Sequence, residues 1–330
     1  MSSRYQHERS PGGLDAIRLQ NDRLDLAIVP QAGGKIVDLI DRCSGRNWLW
    51  KNPHIPVSVA QRDSDFGKEL DSGGWDEVLL AIKPGRIRTA SQNIAAIPDH
   101  GDLLAGAWSI EDLRIEANND LVCDMATTGR SARYRFERQL RIPNDRSVVD
   151  LSYCLRNESD EALPGYWCAH PLLAIGPDSV IEIAGNMPLR AEDAETRLRS
   201  SAHSEQRWPS LVLHDGASQD LARSFASDAA PAAFAGKIFV RSPENGVASV
   251  VLADGSRLTF RFDPEELPWL GLWINNGAWS GCGSAPYTNL GIEPTTSPYD
   301  CVNEAIENDA VPWLAPGAER RWSLQLELDQ

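Results

Sequence analysis

The chain has 330 residues, 42% of them hydrophobic, and a formal net charge of -15 from 47 acidic and 32 basic residues. This length is enough for a large buried core, whereas the negative charge would repel a polyanion such as DNA or an anionic membrane surface. We therefore expect no nucleic-acid partner and no membrane partner.

The first residues, MSSRYQHERSPGGLD, contain no apolar signal-peptide core, and no stretch approaches the roughly 20 apolar residues of a membrane span. Six cysteines are scattered along the chain, without a C-x-x-C pair or a histidine at zinc-finger spacing. This distribution favours free, buried thiols in a reducing compartment over disulfides or a metal centre. We expect a cytoplasmic protein with no metal site.

Hydrophobic residues alternate with a period of two along most of the chain, which is typical of strands with one buried face. The clearest examples are residues 24–28, 134–142, 149–155 and 322–328. In VVLADGSRLTFRF, Asp254 and Gly255 separate two β-rich arms. Because Asp-Gly favours the positive φ values of tight turns, this segment predicts a β-hairpin.

Helical signals are few, the best being a short helix around residues 219–226, and residues 191–227 are predicted to be a long surface excursion. No glycine-rich nucleotide loop and no internal repeat is found, and the strand pattern continues from Leu24 to Leu328. The sequence therefore predicts an all-β protein, with residues 1–330 forming one large antiparallel β-sandwich domain with few short helices. Two abutting sandwiches are the alternative.

Two loop segments in the first third of the chain could contribute to a site. In DSGGWDEVLL, two glycines free the backbone just before Trp75 and Asp76. In IPDHGDLLAGAW, the sequence around Asp99 and His100 predicts a turn that holds an imidazole beside a carboxylate. Each segment is a weak signal when taken alone.

The segment PGYWCAHPLLAI places His170 near a strand end, since a residue before proline is biased toward extended geometry. A histidine in such a place is more often a satisfied hydrogen-bonding group than a catalyst. On its own, His170 is therefore only a candidate.

In LPWLGLWINNG, the period of two puts Leu272 on one face and Trp273 and Asn275 on the other. The second face could form a floor for the apolar side of a sugar ring, with an amide at its edge. Alternatively, the tryptophans pack under a second layer of sheet.

In YTNLGIEPTTSPYD, Ile292 faces the core and Glu293 faces the other way, beside small or polar residues. A carboxylate on a rigid strand over an open face can act as a general base. The competing interpretation is that Glu293 is a solvated surface residue without a catalytic role.

Taken together, these segments resemble the aldose 1-epimerase family, also called galactose mutarotase-like proteins. The resemblance runs in order through PQAGGKI, GGWDE, PDHG, AHP, LGLWINNG, LGIEP and PGAERRWSLQLEL, and it covers most of the chain. It implies the family's large β-sandwich, called a supersandwich, and an isomerase that interconverts sugar anomers.

The resemblance also implies a role for each residue of the site. His170 matches the general acid, Glu293 the general base and His100 a second, substrate-binding histidine. The other implied substrate-binding residues are Trp75, Asp76, Trp273 and Asn275. The chain has no clear match for the family's substrate-binding aspartate, and Lys237 in FAGKIFV is the candidate for part of that role.

Anomer exchange opens and recloses a hemiacetal ring, so it needs a proton acceptor and a proton donor but no metal or cofactor. An unperturbed imidazole has a pKa near 6.5 and is mostly neutral at pH 7. We therefore expect Glu293 to raise the pKa of His170, since a nearby carboxylate favours the imidazolium.

The predicted function is an aldose 1-epimerase that acts on a small sugar, as a monomer or homodimer. The alternative is a non-catalytic carbohydrate-binding or sensing protein with the same cleft. A third hypothesis, a lyase or isomerase of an acidic sugar, rests on Lys83, Arg86 and Arg88. These cations could equally offset an acidic surface.

Overall fold

A computed structural model describes residues 3–10, 12–61, 64–88, 94–192, 206–213, 216–227, 233–281 and 285–329. Within these ranges the strands form a sheet of 13 strands, a sheet of eight and two sheets of two, and all paired strands are antiparallel. This architecture confirms the all-β, antiparallel class predicted from the sequence.

The larger sheet contains, in spatial order, β1 (Arg4–Arg9), β2 (Asp15–Gln20), β3 (Leu24–Val29), β4 (Lys35–Asp41), β5 (Gly74–Leu79), β13 (Trp167–Leu173), β23 (Thr288–Thr295), β22 (Trp269–Asn276), β19 (Phe234–Arg241), β15 (Pro188–Ala191), β16 (Gln206–Arg207), β17 (Ser210–Val212) and β18 (Ser218–Asp220). The smaller sheet contains β14 (Val180–Ile183), β20 (Val247–Val251), β21 (Arg257–Phe262), β25 (Glu319–Asp329), β11 (Val148–Asn157), β10 (Tyr134–Ile142), β9 (Leu121–Thr128) and β8 (Ser109–Ile115). The remaining strands pair as β6 (Gly85–Arg88) with β7 (Ile94–Ile97) and β12 (Leu163–Pro164) with β24 (Trp313–Leu314).

Helical structure is scarce in the described ranges. It comprises the α-helix α1 (Val302–Glu307), a π-helical turn at Phe66–Leu70 and 3₁₀ turns at Pro30–Ala32 and Leu221–Arg223. The helix predicted around residues 219–226 is reduced to the last of these turns, because β18 continues to Asp220, whose side chain caps the turn by accepting from the Ala222 amide. None of the described helices is long and apolar enough to cross a membrane.

The predicted hairpin at Asp254 and Gly255 is confirmed, because β20 pairs with β21 and Gly255 takes a φ of +88° in the turn. In the predicted excursion, residues 193–205 and 214–215 lie outside the described residues. The rest of that excursion forms β16 to β18 and the 3₁₀ turn.

The two large sheets pack face to face, and aromatic side chains join their inner faces. Trp75 of β5 lies 6.3 Å from Phe260 of β21 between ring centroids. Trp322 of β25 stacks on Tyr153 of β11 and lies 5.1 Å from Trp167 of β13. These residues belong to one hydrophobic cluster that includes strands of both sheets. Many of the surplus tryptophans are therefore core residues.

A buried ion pair also spans the two sheets. Arg138 of β10 donates to Oε1 of Glu77 on β5 at 3.1 Å, and both side chains are fully buried. Glu77 also accepts from the Tyr153 hydroxyl at 3.0 Å and from the Trp167 indole at 3.1 Å. Burial raises the pKa of Glu77 to about 7, and the three donors oppose that rise. Three donors thus offset only part of the desolvation of this carboxyl group.

We predict that Glu77→Ala lowers the free energy of unfolding by about 3–5 kcal/mol, because it leaves Arg138 as an uncompensated buried charge. Chemical denaturation would measure the loss. The matched control is Glu327→Ala, which removes the partner of Arg261 from a half-exposed pair and should cost less than about 1 kcal/mol. Equal losses in the two variants would contradict the special position of the buried pair.

Candidate functional site

Five neighbouring strands of the large sheet, in the order β5, β13, β23, β22 and β19, carry most of the residues predicted for the site. The strand register gives three cross-strand pairs: His170 lies opposite Asp76, Glu293 lies opposite Gly271, and Lys237 lies opposite Trp273. Because side chains alternate along a strand and align across a sheet, these residues share one face.

The opposite face of the same strands belongs to the core. Leu272, Ile274 and Ile292 are fully buried there, which confirms the alternation predicted for β22 and β23. Trp75 also lies on the core face, 1% exposed, and not in the cleft that the family resemblance implied. The physical reason is the period of two: if Asp76 points to the site face, its neighbour Trp75 must point into the core.

A cavity of about 200 Å³ lies over the site face. Its wall includes His100, His170, Lys237 and Trp273, which the sequence had identified. Four further contributors, from loops or from the ends of elements, are Phe66, Asp71, Tyr287 and Asp300. The cavity therefore combines aromatic rings with two imidazoles, one ammonium and two carboxylates.

The strands bring His170, Glu293 and Lys237 together in one buried cluster. Nδ1 of His170 lies 3.0 Å from Oε1 of Glu293, although the angle is not that of a formed hydrogen bond. Lys237 donates to the other oxygen, Oε2. Glu293 is 0% exposed and is not part of the cavity wall, whereas His170 and Lys237 are. The glutamate therefore lies behind the two residues that a ligand would meet.

Two glycines make room for this cluster. A Cβ at Gly271 would lie 3.2 Å from Nζ of Lys237, and a Cβ at Gly291 would lie 2.4 Å from Oε1 of Glu293. The Lys237 side chain reaches Glu293 across the position where Gly271 has no side chain. The LGLWINNG and LGIEP segments thus need their glycines for space.

Burial lowers the pKa of His170 well below its ordinary value, and the nearby charges of His100 and Lys237 lower it further. Burial also lowers the pKa of Lys237. The expectation that Glu293 would raise the pKa of His170 is therefore wrong in direction, because desolvation dominates. His170 is neutral at pH 7.

His100 forms a second imidazole–carboxylate pair, as predicted for the PDHG turn. Its Nδ1 lies 2.8 Å from Oδ1 of Asp99, while Oδ2 of Asp99 accepts from the Phe66 amide at 2.9 Å. The His100 ring stacks on Phe66 at 3.6 Å and lies 5.2 Å from the His170 ring, between centroids. The two histidines therefore share one end of the cavity.

Trp273 forms part of the cavity wall, and its indole donates to Oδ1 of Asn289 at 3.2 Å. Asn275 is on the same face of the sheet, but it is fully buried and is not part of the wall. Its amide donates to the Trp279 carbonyl and accepts from the Trp279 amide, so it shapes the loop that carries Trp279 to the cavity. Asn275 is thus placed to position the wall, not to contact a ligand.

Asp76 is likewise below the cavity and not in its wall. It is 2% exposed and pairs at 2.8 Å with Lys35, which also donates to Oγ of Ser72 and to the Gly73 carbonyl. This cluster fixes the turn that leads into β5. The GGWDE segment therefore supports the site without entering it.

Asp71, Tyr287 and Asp300 were not predicted as site residues, although they lie in the segments DSGGWDEVLL and YTNLGIEPTTSPYD. The Tyr287 hydroxyl donates to Oδ2 of Asp71 at 2.5 Å. Burial raises the pKa values of both Asp71 and Asp300. Their proximity in the sequence to GGWDE and LGIEP could have indicated that they belong to the site. Loop residues, however, have no periodicity that would show which way their side chains point.

Of the cations behind the acidic-sugar hypothesis, Lys83 and Arg86 do not line the cavity. Lys83 is half-exposed and lies 3.6 Å from Glu192 and 4.0 Å from Asp300. Arg86 is exposed, and the side chain of Arg88 lies outside the described residues. Within the described part of the chain, no group of three His, Cys, Asp or Glu side chains is placed to hold a metal ion.

We predict that Trp273→Ala weakens the binding of a ring-shaped ligand in the cavity by on the order of 1 kcal/mol or more, because a stacking ring is lost from the wall. Titration calorimetry would measure the affinity. The matched control is Trp269→Ala on the same strand face, whose ring packs against Arg241 and does not line the cavity. Equal affinity losses, or a collapse of stability with unchanged affinity, would show that Trp273 is a core residue.

The direction of the His170 pKa gives a separate prediction. In the folded protein the His170 ring should titrate at a lower pH than in the urea-unfolded chain, where it should titrate near pH 6.5. Nitrogen chemical shifts of the imidazole would follow both states. Since only the unfolded state takes up this proton, His170 should make stability fall as the pH drops below about 6.5. A folded-state midpoint above 6.5 would contradict the desolvation argument.

No family model and no curated protein sequence matches the chain. Solved structures do match it. A protein of Klebsiella pneumoniae, provisionally named an aldose 1-epimerase, superposes with a TM-score of 0.71 at 16% identity, over 99% of this chain and 83% of its own. A galactose mutarotase-like protein of Clostridium acetobutylicum gives 0.70 at 13% identity, over 100% and 99% of the two chains.

A provisionally named aldose 1-epimerase of Escherichia coli K12 superposes with a TM-score of 0.61 at 14% identity, over 99% of both chains. At these identities the similarity is one of fold. It confirms the galactose mutarotase-like sandwich that the ordered motifs implied.

Proposed function

We propose that this chain is a mutarotase-like isomerase that binds a free aldose in the cavity and interconverts its α and β anomers by acid–base ring opening. One observation carries the proposal: His170 lies in the wall of a cavity that also contains Trp273 and a second histidine, and Glu293 lies behind it at 3.0 Å. The names of the structural neighbours and the order of the motifs support the same function.

The chemistry makes few demands on the protein. A base must take the proton of the anomeric hydroxyl while an acid gives a proton to the ring oxygen, and the two roles reverse on closure. The tryptophans of the wall offer an apolar surface to the sugar ring, and the imidazoles and carboxylates offer hydrogen bonds to its hydroxyls.

The buried position of Glu293 changes the catalytic roles that the family resemblance implies for Glu293 and His170. Both oxygens of Glu293 already face protein groups, His170 and Lys237, so a direct contact with the anomeric hydroxyl would require their displacement. A small rotation of the His170 ring would instead complete the bond from Nδ1 to Glu293, and such bonds often tighten only when substrate binds. Nε2 of a neutral His170 is then free to accept the anomeric proton, and Glu293 stabilises the imidazolium that forms.

Lys237 has a defined place in this scheme. Its Nζ donates to the buried Glu293, and an opposite charge at that place offsets part of the cost of burying a carboxylate. Because Lys237 also forms part of the cavity wall, it can donate a hydrogen bond to a sugar hydroxyl. This is compatible with the substrate-binding role suggested for it from the sequence.

The deciding experiment is saturation-transfer NMR of anomer exchange across a panel of hexoses, pentoses, sugar phosphates and uronates, with spontaneous exchange subtracted. We expect acceleration for at least one free aldose. Binding of a sugar by calorimetry without acceleration of any exchange would favour the non-catalytic carbohydrate-binding alternative.

We predict that Glu293→Gln and His170→Asn each lower kcat by roughly 10² or more while sugar affinity stays within a few-fold. His170→Asn removes the proton acceptor, Glu293→Gln removes the charge that stabilises the imidazolium, and both keep polarity. The double variant should be little slower than the slower single variant, because residues that act as a unit are non-additive. Single-turnover NMR would measure the three rates. Losses that multiply would show that the two groups act independently.

A further inference from the structure

We propose that the outer edge of β1 (Arg4–Arg9) is a dimerisation surface, and that its partner is β1 of a second copy of this chain, paired antiparallel about Gln6. The proposal goes beyond the proposed function, because it concerns assembly and assumes nothing about catalysis. The sequence alone left monomer and homodimer as alternatives.

The outermost strands of the two large sheets differ in how they are protected against pairing with another molecule. β18, which ends the larger sheet on the side away from β1, has three residues, and β14, at one end of the smaller sheet, has four. β8, at the other end of the smaller sheet, has an irregular register between Ile110 and Asp112. Short edge strands and bulges are devices by which proteins prevent intermolecular strand pairing.

Strand β1 has none of these devices. Its six residues, RYQHER, pair one for one with β2 without a bulge and include neither proline nor lysine. In the described part of the chain, no strand pairs with its other side. All its side chains except that of Glu8 are exposed, including the aromatic ring of Tyr5. β1 is therefore a regular edge whose backbone donors and acceptors another strand can use.

The ladder between β1 and β2 determines which backbone groups face outward. The Ser10 amide donates to the Leu14 carbonyl, and this pair continues the register of the two strands. Since bonded and non-bonded pairs alternate in an antiparallel ladder, the even-numbered residues of β1 bond to β2. The backbone groups of the odd-numbered residues, Tyr5, His7 and Arg9, point to the open edge.

Two copies related by a two-fold axis can pair at this edge only where outward-facing residues meet each other. A register centred on Gln6 satisfies this condition, because Tyr5 of each copy lies opposite His7 of the other and can exchange two backbone hydrogen bonds with it. In the same register Arg4 lies opposite Glu8 of the second copy. This is a non-hydrogen-bonded position, where Cα atoms are about 4.5 Å apart and side chains are closest.

The other registers that the backbone allows lack this charge match. A register centred on Glu8 puts two carboxylates opposite each other, and one centred on His7 puts Glu8 opposite Gln6. One centred on Tyr5 puts Arg4 opposite Gln6. Charge complementarity therefore selects the register centred on Gln6, in which two ion pairs form by symmetry.

Arg4 and Glu8 are already ordered by partners within the chain. Nε of Arg4 donates to Gln20 at 2.6 Å, and Oε1 of Glu8 accepts from Arg18 at 2.9 Å. Each side chain keeps further groups for a second copy, the two Nη atoms of Arg4 and Oε2 of Glu8, which accepts from Gln6 at 3.4 Å. Side chains that are ordered before association lose less entropy when they bind.

Sedimentation velocity without any sugar, at about 0.15 M salt, would test the assembly. We expect the mass of two chains at protein concentrations up to about 100 μM, which would detect a dissociation constant in the micromolar range. His7→Pro should be monomeric, because proline removes an outward N–H but no bond to β2. The matched control, His7→Val, keeps that N–H and should remain dimeric.

Two charge reversals test the register. Arg4→Glu puts carboxylates opposite each other, and Glu8→Arg does the same with guanidinium groups, so each variant alone should dimerise roughly tenfold or more weakly. An equal mixture of the two variants should form a heterodimer with near wild-type affinity, because both cross-strand pairs then have opposite charges. Arg9→Glu, the same charge change outside these pairs, should stay dimeric on its own.

A wild-type protein that is monomeric at every concentration would overturn the proposal, and so would a dimer that His7→Pro leaves intact, since its interface would lie elsewhere. Charge variants that dissociate but do not recover on mixing would refute the register. Circular dichroism of each variant would distinguish loss of the dimer from loss of the fold. None of these outcomes depends on the proposed function, because no sugar and no turnover are involved.

Discussion

The site depends on the complete burial of one carboxylate. Glu293 can lie under a sheet surface at 0% exposure only because Lys237 supplies the opposite charge from a strand two positions away. An isolated charge in such a place would be strongly destabilising. The lysine reaches it only because Gly271, on the strand between them, has no side chain. Gly271 and Lys237 together therefore offset the cost of desolvating Glu293. The buried carboxylate can then interact with His170.

The fold could be predicted from the sequence because its determinants are local. Leu270, Leu272 and Ile274 are fully buried on the face that a period of two assigns to them, and Asp254 and Gly255 are in the turn that their backbone preferences favour. The ordered motifs then identified the architecture that the solved structures share. Such signals are readable because each depends on neighbours only a few residues away.

The site could be predicted only in part, because its remaining determinants are long-range. The alternation identified the strand face on which Glu293 and Trp273 lie, but no local pattern indicates that Lys237, 56 residues from Glu293 in the chain, pairs with that glutamate. The family resemblance implied that Trp75 and Asp76 both bind substrate. This conflicts with the period of two, since adjacent strand residues cannot face the same cavity. Asn275 shows a further limit: its face was correct, yet its amide turns back to hold its own loop.

Strand β5 contains neighbouring buried charges on its two faces, Asp76 paired with Lys35 toward the site and Glu77 paired with Arg138 toward the core. Any local opening of this strand would break both pairs at once and expose four desolvated charges to partial hydration. Its amide hydrogens should therefore exchange with solvent only in near-global unfolding. We expect the π-helical turn that carries Phe66, which is bound to the neighbouring loop through the Phe66 amide and Asp99, to open at a lower free energy. The strands beneath the cavity and the turn that carries Phe66 therefore differ in the free energy of local opening. Substitutions in the aromatic wall can change the shape of the cavity without loosening the strands that hold His170, Glu293 and Lys237.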